Sequence, residues 1–378
     1  MFVMASMVGN ISSFCRAVNG WSGGFVRLGM NRKLDYGAIL ELFGREAPRK
    51  TRARMKETLM RTTLGMLCLS IVASSTACSL LDRDKIVVDP AAIRDIPAFV
   101  VPVVKPGVAY ERFIVIGDMG SGHADQAEVA SAMAAKAGAD GLDFWLTTGD
   151  NIYPNGVQSV DDGQWNEKFE RIYAAAALQK PIYPSLGNHD YKGSVTAQID
   201  YAQSNPLWKM PATYYTFTRT LADGAEVQFF AIDTEPMQHN HPGTKEQLAW
   251  LDQELGKSGA RWKIVYGHHP LYGHNPNRGY NPVLIGHLDP IFAKHGVDVY
   301  FAGHDHALEM IKPINGVHHV ISGAGGGADW AYNVNWTDES FYVATLGGFV
   351  YCRVSNTELV IEFVRMGGET QYAHVLRK

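Results

Sequence analysis

The sequence is short of cysteine, with four in 378 residues. That number cannot staple a dense disulfide framework, so a packed core must hold the fold. Charge is also scarce: 19% of residues are charged against 46% hydrophobic. This balance excludes a wholly disordered chain, a coiled coil and a collagen-like fibre. No apolar run reaches the roughly 20 residues that a membrane-spanning helix needs. Neither sign of charge dominates, since the formal net charge is −4. Nucleic-acid binding, which favours basic surfaces, is not indicated. What remains is a globular chain, long enough for one large domain or two ordinary ones.

The near-neutral total hides two unlike parts. Residues 1–77 hold 11 Lys+Arg and 4 Asp+Glu, a net of +7, while residues 78–378 hold 23 and 34, a net of −11. A break this sharp marks a boundary. Residues 55–78 read MKETLMRTTLGMLCLSIVASSTAC. Lys56 and Arg61 make a positive start, Leu64 to Ala73 a short apolar stretch, and Ser75-Thr76-Ala77 the small residues before a cut. That is the layout of a secretory signal peptide over 55–77. Cys78 follows directly, so Ser75-Thr76-Ala77-Cys78 resembles a bacterial lipobox with Ser in place of the usual Leu. Lipidation at Cys78 and plain cleavage after Ala77 both stay open. Residues 1–54 are basic and lack periodicity, and read as a non-native extension ahead of a true start at Met55 or Met60. Residues 78–107 read as a tether and 108–378 as one folded domain. The expected product is exported, either periplasmic, secreted or lipid-anchored at the cell envelope. Cys352 is expected to be a buried strand thiol.

Within the domain, apolar runs stop abruptly at a glycine. FIVI (113–116) precedes Gly117-Asp118, FWLTT (144–148) precedes Gly149-Asp150, and Ile182 to Leu186 precedes Gly187-Asn188. KIVY (263–266) precedes Gly267-His268, and VYFA (299–302) precedes Gly303-His304. Such runs predict buried strands. QFFAID (228–233) and HHVIS (318–322) predict two more. Helical patterns fall at 125–137, 165–178 and 245–257, the last with Leu248, Leu251 and Leu255 on one face. The end of the chain reads FVYCRVS, LVIEFVRM and QYAHVLR, an antiparallel meander. The fold class is therefore α/β: two mixed sheets packed as a sandwich, flanked by helices.

Sites in such sheets form where strands end at their carboxyl side. The candidate donors there are Asp118, Asp150, Tyr153, Asn188, His268, His304 and His306. Seven ligands exceed what one tetrahedral ion needs. Two ions sharing Asp150 would each have four. Two-metal sites clamp the attacking and leaving oxygens of phosphoryl displacement and acidify a bridging water.

The five segments Gly117-Asp118-Met119-Gly120, Gly149-Asp150-Asn151-Ile152-Tyr153, Gly187-Asn188-His189-Asp190, Gly267-His268 and Gly303-His304-Asp305-His306 resemble the motifs of calcineurin-like metallophosphoesterases. Within that superfamily the chain most resembles purple acid phosphatases, and GNHDYKGSVTAQIDY (187–201) and VISGAGG (320–326) are similar to the small tartrate-resistant ones. The resemblance covers about 110–330. It implies the αββα metallophosphoesterase fold and a phosphomonoesterase acting by attack of a metal-bridging hydroxide. It implies that Asp118, Asp150, Tyr153 and His306 hold Fe(III). Asp150, Asn188, His268 and His304 would hold a divalent Fe, Zn or Mn. Most metallophosphoesterases carry a His where this chain has Gly120, and Tyr153 fills that gap as a phenolate, a hard donor suited to Fe(III). A ferric ion acidifies its water, which implies activity at low pH. His189 would contact the phosphate or protonate the leaving group, and His274, in LYGHNPNRGY, is a candidate for the same task.

Taken singly, any of these residues is more often a solvated or core polar group. His123 is read as a surface loop residue and His269 as pocket lining. His239, His241, His287, His295, His318 and His319 carry no spacing signal. The run Gly323 to Gly327 lacks the Gly-Lys-[Ser/Thr] of a P-loop and is read as backbone near the site. The substrate class is a small phosphate ester. No nucleic-acid or protein partner is expected, and membrane attachment is expected only through a lipidated Cys78. Two other functions compete. One is a phosphodiesterase or nucleotide phosphohydrolase on the same metals; the other is an inactive binding protein.

Overall fold

The computed structural model describes residues 99–326 and 334–378. The expected extension, the signal peptide, Cys78, most of the tether and Gly327 lie outside the described residues.

Each apolar run that stops at a glycine lies in a strand. β1 (Glu111–Ile116) leads into α1 (Ala124–Asp140), β2 (Phe144–Thr147) and β3 (Ile182–Pro184). Then come α2 (Val195–Ser204), β4 (Tyr215–Thr220), β5 (Glu226–Ala231), the short α3 (Thr234–Gln238) and α4 (Thr244–Lys257). β6 (Trp262–Tyr266), α5 (Pro282–His295) and β7 (Val299–Ala302) complete the alternating part. β8 (Leu308–Ile314), β9 (Val317–Ser322), β10 (Ser340–Ala344), β11 (Gly348–Val354), β12 (Glu358–Arg365) and β13 (Thr370–Arg377) follow.

The strands form a six-stranded sheet, β13-β12-β11-β1-β2-β3, and a seven-stranded sheet, β10-β8-β9-β7-β6-β5-β4. β1, β2 and β3 run parallel, as do β5, β6, β7 and β9. The predicted meander β11-β12-β13 is antiparallel and returns β11 against β1. Aromatic rings fill the space between sheets. Phe113 of β1 meets Phe229 of β5 at 5.4 Å and Phe301 of β7 at 6.4 Å, and Phe144 meets Phe229 at 5.3 Å. Burying each such ring contributes about 2–3 kcal/mol. The next residue on β5, Phe230, points the other way and packs with Leu251, Leu255, Leu284, Leu288 and Phe292 of α4 and α5. The outcome is the expected sandwich with helices outside. Cys352 is fully buried on β11.

Two regions differ from the sequence reading. Residues 165–178 are not one α-helix: they hold a single π turn, Asn166–Glu170, and a 3₁₀ turn, Ala176–Leu178. The large buried rings Trp165, Phe169 and Tyr173 recur every four residues without offset. Rings at that strict spacing stay on one side only if the turn widens, and Arg171 N accordingly donates to Asn166 O. The end of the expected tether, 99–107, is also held. Phe99 packs edge-on against Tyr372 at 5.9 Å, Lys105 pairs with Glu358 at 2.8 Å, and the buried Arg353 donates to Pro102 O.

Candidate metal centre

The carboxyl ends of β1, β2 and β3 in one sheet, and of β6 and β7 in the other, meet at one place. Backbone bonds stitch them together: Gly117 N donates to Ser322 O (2.7 Å) and Gly303 N to His268 O (2.8 Å). Three residues that follow these strand-end glycines have left-handed backbones, Asp118 (φ 56°), Asp150 (φ 50°) and His304 (φ 66°). Non-glycine residues rarely adopt this conformation, and the surroundings must enforce it. The turn strain thus falls on the donor residues themselves. Gly303 is needed for a different reason, since a Cβ there would sit 2.5 Å from Asp118 Oδ2.

The donors converge in two overlapping sets. Tyr153 Oη lies 2.9 Å from Asp118 Oδ1, 3.0 Å from Asp150 Oδ2 and 3.0 Å from His306 Nε2. His306 Nε2 is 3.4 Å from Asp118 Oδ1. In the second set, Asn188 Oδ1 is 3.0 Å from His268 Nε2 and 3.1 Å from His304 Nδ1. His268 Nε2 is also 3.5 Å from Asp150 Oδ2, the atom that the first set uses. The geometry around position 120 explains the first set. A Cβ on Gly120 would lie 1.9 Å from Asn151 O, so no side chain fits there. Tyr153 N donates to Gly120 O at 2.8 Å, which fixes the Tyr153 backbone against that glycine.

The donor chemistry suits cations. His268 Nδ1 is 2.8 Å from Thr148 O and so carries a proton, which leaves Nε2 to face the oxygens of Asn188 and Asp150. Burial opposes charge on His268, yet Asp150 and Asp118 outweigh it and raise its pKa. The pocket therefore draws positive charge to this point. Burial, then Asp118 and Asp150, push the Tyr153 phenol far up. Only a strongly Lewis-acidic ion would reverse that and make a phenolate.

Surrounding groups fix the ligands. Asp118 Oδ2 accepts from His304 N (2.8 Å), and Asp150 Oδ1 accepts from His189 N (2.7 Å). Fully buried Asp190 accepts from Gly187 N (2.9 Å), Asn151 N (3.1 Å) and Gln198 Nε2 (2.7 Å), tying the second and third loops together. His189 Nδ1 donates to Pro154 O at 2.6 Å, so Nε2 is the nitrogen turned inward, 4.0 Å from Asp150 Oδ2.

His274 is placed otherwise than a leaving-group acid requires. Its Nδ1 is bound to the fully buried Glu309, with Ser340 Oγ at 3.1 Å, and its Nε2 faces Thr337 Oγ1 at 3.1 Å. It pins the 271–281 loop rather than joining the donors. His123 is exposed before α1, and His269 lines the cavity beside the donors, both as expected. Gly325 N donates to Gly117 O at 3.0 Å, which puts the glycine run beside the site. Sequence reasoning missed Lys192, Glu235 and His239, which also line that cavity. It also missed Arg278, which reaches His304 O and Asp305 Oδ1. Lys192 had a signal, three residues after His189; Glu235 had none.

This fold and donor arrangement define a class, and comparison with known proteins agrees. A model of the calcineurin-like phosphoesterase family matches residues 111–308, and the chain belongs to that family. Its curated relatives are acid phosphatases. Human tartrate-resistant acid phosphatase type 5 is 30% identical over 69% of this chain and 89% of its own length. Purple acid phosphatase 4 of Arabidopsis thaliana is 32% identical, over 68% and 81%. Among solved structures, Plasmodium GAP50, described as the anchor in the inner membrane complex, has a TM-score of 0.66 at 26% identity, covering 71% of this chain and 89% of that one. Purple acid phosphatase PPD1 from yellow lupin seeds has a TM-score of 0.58 at 19% identity, covering 71% and 54%, a likeness of fold alone.

Proposed function

We propose that the protein is a metal-dependent phosphoric monoester hydrolase, an acid phosphatase with a dinuclear centre. The observation that carries this reading is Asp150 Oδ2, which lies within reach of both donor sets. Asp118, Asp150, Tyr153 and His306 would hold a ferric ion, and Asp150, Asn188, His268 and His304 a divalent Fe, Zn or Mn. When bound, such a pair supplies Lewis acidity and an acidified water. The chain's own groups do the rest. His189 keeps its Nδ1 proton on Pro154 O and turns Nε2 toward the site, where it can hand a proton to the departing oxygen. Lys192 Nζ, 3.2 Å from His189 Nδ1, adds positive charge where a phosphate enters.

Metal-loaded protein is expected to hydrolyse p-nitrophenyl phosphate far faster than bis-p-nitrophenyl phosphate. The reverse order would favour a phosphodiesterase. No turnover of either would favour an inactive scaffold, a reading to which the anchor description of Plasmodium GAP50 lends weight. The complete donor set supports an enzyme. Export is part of the proposal and is supported by the pattern of 55–78. Mass analysis of the N-terminal peptide should find Cys78 first, with or without a lipid; a peptide from before Met55 would overturn it. The net charge of −11 over 78–378 argues against a nucleic-acid substrate.

A further inference from the structure

A cavity of about 410 Å³ opens from the second donor set, with Asn188 and His304 on its wall. Its remaining lining is Tyr191, Lys192, Glu235, Gln238, His239 and His269, with no aliphatic side chain among the described residues. On the phosphatase reading this space receives the alcohol that leaves as the phosphate is split, and its wall mixes polar groups with the Tyr191 ring.

Glu235, on α3, is the one carboxylate among the residues that line this cavity. Its Oε2 is buried and accepts no hydrogen bond among the described residues. Two imidazoles approach the carboxylate, but neither comes close enough for a hydrogen bond. Thr234 Oγ1 accepts from His269 N (3.0 Å) and turns its hydrogen to His269 Nδ1 (2.9 Å). His269 Nε2 then stands 3.5 Å from Glu235 Oε2, and His239 Nε2 stands 3.4 Å from Oε1, both without a hydrogen bond. A buried carboxylate oxygen without a donor is costly unless something supplies one. Across the cavity wall, Lys192 sits by His189, where the phosphate enters. The cavity is thus polarised, with positive charge by the phosphate and negative charge by the alcohol.

We infer that Glu235 forms a subsite for an ammonium group, and that the preferred substrates are phosphate monoesters of amino alcohols. The inference rests on the phosphatase reading above. A zwitterionic ester matches this polarity end to end. An ammonium in the cavity also offers the Glu235 carboxylate a charged partner, an interaction stronger than a neutral hydroxyl gives.

The test uses the full, metal-loaded protein and three esters: 2-aminoethyl, 2-hydroxyethyl and propyl phosphate. We expect kcat/KM for the aminoethyl ester to exceed the propyl ester by about tenfold, a typical factor for one charged hydrogen bond. In Glu235→Gln that ratio should fall to near one. Titration with the non-hydrolysable 2-aminoethylphosphonate and propylphosphonate should give the same ratio in Kd, independent of turnover and available from the wild-type protein alone. Equal rates and equal affinities across the series would overturn the subsite and leave the phosphatase standing. Equal preference for the hydroxyethyl ester would overturn the ammonium assignment. Failure to hydrolyse any of the three would overturn the phosphatase reading itself.

Discussion

Asp150 Oδ2 is common to both donor sets, so whatever binds in one set feels the other. Asp150→Asn replaces that shared anionic oxygen with a neutral amide. Elemental analysis of the purified variant should find both metals depleted, and a variant retaining two ions per chain would contradict the bridging role. Tyr153→Phe removes a single oxygen from the first set. Its visible absorption band should vanish in the ferric protein, and a variant that keeps the band would refute phenolate ligation. At this scale the sequence carried a local signature, because five of the seven donors follow a glycine at a strand end and Tyr153 and His306 lie within three residues of two of those five. The cavity wall carried none. Glu235 and His239 follow β5, whose end holds no donor, and only the tie between Thr234 of α3 and His269 beyond β6 brings them to the site. His274 shows the opposite failure: nearness to His268 in sequence suggested chemistry, but the buried Glu309 claims its ring.

Helices were less legible than strands. α5 carries ordinary boundary signals that the hydrophobic pattern did not bring out. Asn281 caps it by accepting from Leu284 N at 3.1 Å, Pro282 opens it, and Gly296 closes it at φ 63°. Pro290 inside the helix disguised it, because proline removes a donor and usually ends a helix. Asn281→Ala should lower stability by about 1 kcal/mol, measured by urea unfolding, with metal content unchanged. The stretch 165–178 erred the other way. Its composition favours a helix, yet the strict four-residue recurrence of Trp165, Phe169 and Tyr173 imposes a wider turn. The strands were plain because burial on both faces leaves continuous apolar runs.

The whole molecule meets a tension if it works in acid. His319 is buried between Tyr272 and Tyr300, and neither ring nitrogen finds a hydrogen-bond partner among the described residues. Burial, with His318 adding to it, pulls its pKa down to about 3. Burial also brings His374 to about 4, again with His318 contributing. Both stay neutral in the fold, whereas an unfolded histidine titrates near 6.5. The unfolded chain therefore binds more protons below that pH. What these two histidines contribute to stability is full above about pH 6.5 and declines as pH falls toward 4 and 3. His319 alone accounts for about 2 kcal/mol at pH 5. His319→Leu should show a shallower fall of Tm between pH 6.5 and 4.5, whatever its stability at neutral pH. An unchanged slope would mean that His319 is not the sensor.

The pinned segment at 99–107 also sets where the chain enters relative to the site. Lys105 and Pro102 grip Glu358 and Arg353, near the end of the sheet where β1 begins. The metal donors stand at the other end of β1, beyond Ile116. Six residues of strand separate the two, roughly 20 Å at about 3.3 Å per residue. The chain therefore enters the described domain at its back. The mouth of the site opens at the opposite end, so a phosphate ester reaches the donors without passing the entering chain.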